Sequence, residues 1–98
     1  MPAGYLCISI DLELAWGIWD KPNAEYHARC AKHERAIVAR LVEMFETYEV
    51  GATWAIVGRL LDRDPARDPQ IWFAPDVIER VRRARVAQDI GSHGYAHI

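Results

Sequence analysis

Along the first stretch of the chain, apolar and polar residues alternate. Leu6, Ile8, Ile10, Leu12 and Leu14 take every second position, while Tyr5, Cys7, Ser9, Asp11 and Glu13 fall between them. A period of two is that of a strand with one face turned to a core, so a strand is predicted from Tyr5 to Glu13, with Cys7 as strand packing. If the backbone stays extended, Asp11 and Glu13 project from the same side, about 7 Å apart. Gly17 and Asp20-Lys21-Pro22-Asn23 then mark a long connection. Beyond it Ile37, Val38, Leu41, Val42, Phe45 and Tyr48 recur at helical spacing, which predicts a helix from about Ala28 to Glu49, ended by Gly51.

Ala52-Thr53-Trp54-Ala55-Ile56-Val57 is short and almost wholly apolar, the pattern of a second strand covered on both faces. From Gly58 to Ala74 the chain carries Asp62-Arg63-Asp64-Pro65 and Asp68-Pro69. Such turn chemistry predicts an irregular excursion, opening with a helical turn at Arg59-Leu60-Leu61. Pro75 suits the first position of a helix with Val77, Ile78 and Val81 on its apolar edge. Asp76 and Glu79 favour its start, and Arg80, Arg82, Arg83 and Arg85 read as a solvated face toward its end. Val86 to Ser92 reads as a third strand, broken at Gly91-Ser92-His93-Gly94.

Strand, helix, strand, helix, strand is the order of an α/β fold with three parallel strands and intervening helices. Ligand sites in such folds gather at the carboxyl ends of the strands. Asp11 and Glu13 fall at the end of the first, and His93 and His97 at the end of the third.

Composition narrows the partners. The 98 residues make one domain at most, and 51% hydrophobic with 27% charged residues is a composition that builds a core. A formal charge of -2 lacks the positive excess that draws proteins onto phosphate backbones, so no nucleic acid partner is expected. No apolar run approaches the roughly 18 residues of a membrane span, and no basic segment precedes an apolar stretch at the N-terminus, so a cytoplasmic location is expected. Cys7 and Cys30 have no metal-binding spacing and are read as reduced thiols.

The candidate chemistry lies in the acids and histidines. His93 and His97 are separated by three residues, a spacing that lets two imidazoles reach one ion. Two neutral imidazoles and one carboxylate are the common protein ligands of an open zinc site, in which a second carboxylate acts as general base toward water activated by the ion. Asp11 and Glu13 have the means to divide these two roles. Trp16 and Trp19 follow the acids and offer aromatic faces for a sugar ring or cover for the rim of the fold; Trp54, Trp72 and Phe73 read as packing.

Three segments together give a resemblance. Ser9-Ile10-Asp11-Leu12-Glu13, Ala52-Thr53-Trp54-Ala55 and Ile90-Gly91-Ser92-His93-Gly94-Tyr95-Ala96-His97 resemble, in order, the first acidic motif, an Ala-Thr-Phe-Phe strand and the metal-binding motif of the polysaccharide deacetylase family, the NodB-homology domain of carbohydrate esterase family 4. The resemblance implies a partial distorted (β/α) barrel of the NodB-homology type and a hydrolase that removes N-acetyl groups from a polysaccharide or glycan precursor with a divalent metal, zinc by preference. It makes Asp11 the general base and Glu13, His93 and His97 the metal ligands. The family's usual first motif has adjacent acids, whereas Leu12 separates them here, as in a branch with an alternating pair. The family's later motifs have no counterpart, so residues 1-98 are expected to be the N-terminal part of the domain, with little turnover and a third-strand edge open to self-association. The alternative is a non-catalytic relative that binds carbohydrate or metal.

Overall fold

The computed structural model describes residues 4–95. The chain is a mixed α/β unit built on a three-stranded parallel sheet. Its elements are β1 (Ser9–Leu12), α1 (Ala24–Tyr48), β2 (Thr53–Ile56), α2 (Pro69–Trp72), α3 (Pro75–Arg82) and β3 (Asp89–Ser92), with single 3-10 turns at Leu14–Ile18 and Gly58–Leu61. The second turn coincides with the one expected at Arg59-Leu60-Leu61. The strand order is β1-β2-β3. No helix among the described residues is long and apolar enough to cross a membrane.

The register divides the sheet into two unlike faces. Ile10, Trp54 and Ile90 lie side by side, as do Leu12, Ile56 and Ser92. Leu12, Trp54 and Ile56 on this face are buried. The Phe45 ring of α1 meets Trp54 edge-on at 6.1 Å, and α1 turns Ala31, Val38, Val42 and Phe45 inward. Trp54 is fully buried; truncating such a side chain to alanine costs about 3–5 kcal/mol. The opposite face carries Ser9, Thr53 and Asp89 in one row and Asp11, Ala55 and Gly91 in the next. Apart from the half-buried Ala55 these are exposed, so β2 is covered on one face, not two, among the described residues.

The remaining boundaries differ from expectation for identifiable reasons. β1 covers only Ser9–Leu12, and Tyr5, Leu6 and Cys7 are exposed. The β1-β2 register begins at Ser9, so among the described residues no strand pairs with residues 5–7, and Cys7 is exposed where strand packing was expected. α1 begins four residues early because Asn23 Oδ1 accepts the Tyr26 N–H at 3.1 Å and caps it. It ends at Glu49, which adopts the left-handed conformation (φ 56°) in place of the expected glycine. β3 begins at Asp89, not Val86, because the Gln88 side chain replaces the ladder: its Oε1 accepts from the Ala52 N–H and Trp54 Nε1, and its Nε2 donates to the Val50 and Val86 carbonyls. Asp68 caps α2, a short helix inside the segment read as irregular.

Candidate metal centre

The carboxyl edge of the open sheet face brings the expected residues together. β1 ends at Leu12 and β3 at Ser92, so Glu13 and His93 are each the first residue past a strand. The ladder continues one step further: Val57 N–H donates to the Leu12 carbonyl at 3.1 Å, and His93 N–H to the Ile56 carbonyl at 2.9 Å. Glu13 and His93 therefore stand two strand spacings apart, roughly 10 Å between backbones. Their side chains close that gap. His93 Nε2 lies 2.7 Å from Glu13 Oε1 and 3.7 Å from Asp11 Oδ2. One donor atom from each of the three residues falls within 4.8 Å of the others.

Glu13 is not held by strand geometry. The chain leaves β1 there, and Leu14 takes a left-handed backbone (φ 49°), which turns its side chain inward by a route that strand alternation did not foresee. Glu34 on α1 fixes this turn by accepting the Glu13 N–H at 3.1 Å. Burial raises the Glu34 pKa, against the lowering effect of the Glu13 and Leu14 backbone N–H groups, and the charge of Glu13 adds to the rise. On the other side the Glu13 carboxylate lies against Gly17, where a Cβ would overlap Oε2. A polar acceptor below and a missing side chain above thus aim the carboxylate at His93.

The donor set fits a divalent ion. Zinc holds nitrogen and oxygen donors at about 2.0–2.2 Å, so two donors of one tetrahedral site lie about 3.3–3.6 Å apart. Asp11 and His93, at 3.7 Å, stand just outside that spacing. The 2.7 Å contact of Glu13 with His93 is a hydrogen-bonding distance and needs to open by under about 1 Å. Asp11 is the most exposed of the three side chains at 57%, against 31% for His93 and 20% for Glu13. His97 lies outside the described residues.

The two tryptophans part company. Trp19 is 42% exposed. Trp16 is buried, donates from Nε1 to the Trp72 carbonyl at 3.0 Å and meets the Trp72 ring edge-on at 4.8 Å. The guanidinium groups of Arg59 and Arg67 lie 4.3 and 5.0 Å from its ring centre. Trp16 is a packing residue, with no face open to a sugar ring. Glu34 escaped the sequence reading because a lone acid on a helix looks like any solvated charge.

Compared with protein-family models, with curated proteins and with solved structures, the chain matches none of them.

Proposed function

We propose that this chain is the metal-binding part of a deacetylase domain that hydrolyses N-acetyl groups on a polysaccharide or glycan precursor, within a barrel of the NodB-homology type. The observation that carries the reading is the meeting of Asp11, Glu13 and His93 at the carboxyl ends of two strands that are not neighbours in the sheet. The three motifs on which the family resemblance rests include these three residues.

In this reading Glu13 and His93 hold the ion, joined by His97. A divalent ion bound there supplies polarisation of the acetyl carbonyl and a lowered pKa for the attacking water. Asp11, more exposed and farther from His93 than Glu13 is, takes the water's proton at a carboxylate oxygen. Trp19 packs on a sugar ring, its apolar face against the C–H groups of the pyranose. The water oxygen bonds to the acetyl carbon, the C–N bond breaks, and the departing nitrogen takes up the proton that Asp11 accepted from water, so that acetate and a free amine are the products.

Zinc content is the deciding readout. After dialysis against trace zinc, about one ion per chain is expected in the wild type, falling sharply in Glu13→Ala and in a His93→Ala/His97→Ala double variant. Equal binding in all three, or none in the wild type, overturns the proposal. Whatever acetate this chain releases from an N-acetylated chitooligosaccharide, expected to be little, should be lost in Asp11→Asn while zinc is retained, which supports the base assignment. Zinc and oligosaccharide binding with no acetate released favours instead a relative that binds without catalysis.

A further inference from the structure

The segment after β2 is fastened to the segment after β3. Gly58 N–H donates to the Gly94 carbonyl at 2.9 Å, and Arg59 N–H to the Tyr95 carbonyl at 2.8 Å, which places Arg59 beside the backbone that follows His93. The Arg59 guanidinium lies 4.3 Å from the Trp16 ring centre and 5.6 Å from that of Tyr95. Stacking of this kind occupies the faces of the guanidinium and leaves its in-plane N–H donors for an anion.

Those donors are unclaimed within the described residues. Arg59 Nε is buried and has no hydrogen-bond partner, and among the described residues no carboxylate lies within ion-pair distance of the side chain. The aspartates nearby are engaged elsewhere: Asp62 accepts the Tyr95 hydroxyl, Asp64 holds Arg67 and the Ala66 N–H, and Asp68 caps α2. A cation kept partly out of water without a counter-charge is costly unless a ligand supplies one.

We propose that Arg59, fastened through its backbone to the segment that follows His93, is an oxyanion-binding residue, and that it selects saccharides bearing a carboxylate or a phosphate ester. The saccharide class rests on the deacetylase reading. The anion preference rests on Arg59 alone.

The test is a binding titration of the full chain without zinc, since phosphate would otherwise coordinate the ion. N-acetylglucosamine, its 6-phosphate, N-acetylmuramic acid and inorganic phosphate are the probes. In the wild type at least one acidic sugar is expected to bind about tenfold or more tightly than the neutral sugar, which corresponds to about 1.4 kcal/mol. That ratio should fall close to one in Arg59→Gln and to an intermediate value in Arg59→Lys, which keeps the charge but not the planar fork. Which acidic sugar gains identifies the oxyanion. A ratio near one in the wild type, or one undiminished in both variants, overturns the proposal, as does inorganic phosphate binding as tightly as the sugars. If Arg59→Gln does not fold, judged by circular dichroism, the Lys variant decides. Because zinc is absent, failure to select an anion and failure to bind zinc are read separately.

Discussion

Glu13 carries more of the site than its place in a two-residue acidic pattern suggests. Its carboxylate reaches His93 because Glu34 holds its backbone and Gly17 leaves room for its side chain. Gly17→Ala tests the second condition. The added methyl meets the end of a flexible side chain, not backbone, so the cost falls on the aim of the carboxylate. Zinc affinity is expected to drop about tenfold with little change in melting temperature, measured by zinc titration beside thermal unfolding. The positions of Asp11, Glu13 and His93 were legible in the sequence because strand ends are where parallel sheets present side chains. Glu34, Gly17 and Arg59 were not, since their roles depend on contacts across 4 to 43 residues of chain that no local period encodes. For Trp16 the sequence left two readings open for a related reason: a tryptophan after a strand suits a sugar-facing rim as well as packing, and the approach of Trp72 and two arginines decides for packing.

At the level of elements, the strands were read too long and α1 too short. Alternation continues wherever side chains alternate, but a strand lasts only as long as a neighbour accepts its hydrogen bonds, and here each ladder spans four residues. The arginines after Pro75, read as a solvated face, include a fastening between helices. Arg80 pairs with Glu46 at 2.8 Å, and Glu46 also accepts the Arg85 N–H at 2.8 Å, so α1 is tied to α3 and to the segment that leads into β3. The Arg80 hydrogen bond, helped by the Arg85 N–H, lowers the Glu46 pKa from 4.5 to about 2. A carboxylate so depressed contributes its stability above pH 4.5 and loses it as pH falls through about 2. Denaturant midpoints should therefore show wild type above Glu46→Gln at pH 7, with the gap narrowing below pH 4.5 and closing near pH 2. A gap independent of pH would assign the contact no electrostatic role.

At the scale of the molecule, the sheet has a closed side and an open one. β3 is exposed along its whole length, and Ile90 and Leu61 beside it are 44% and 54% exposed, bordering a notch of about 300 Å³ with Ile56 and Ile78. An edge strand with unpaired backbone groups and an apolar flank pairs readily with a second copy. Sedimentation is expected to show self-association that grows with concentration, and Ile90→Lys to reduce it several-fold. A monomer at all concentrations would argue against the edge as a contact.

β2 gives no donor to the site, although it lies between the two strands that do. Any ion shared by Glu13 and His93 therefore closes a loop of about 80 residues, nearly the entire described chain, and removes from the unfolded ensemble a freedom comparable to that removed by a long-range disulfide, on the order of 4 kcal/mol in the chain-entropy treatment. The ion would then act as a cross-link as well as a reagent, so that losing it loosens a sheet whose buried residues it never touches.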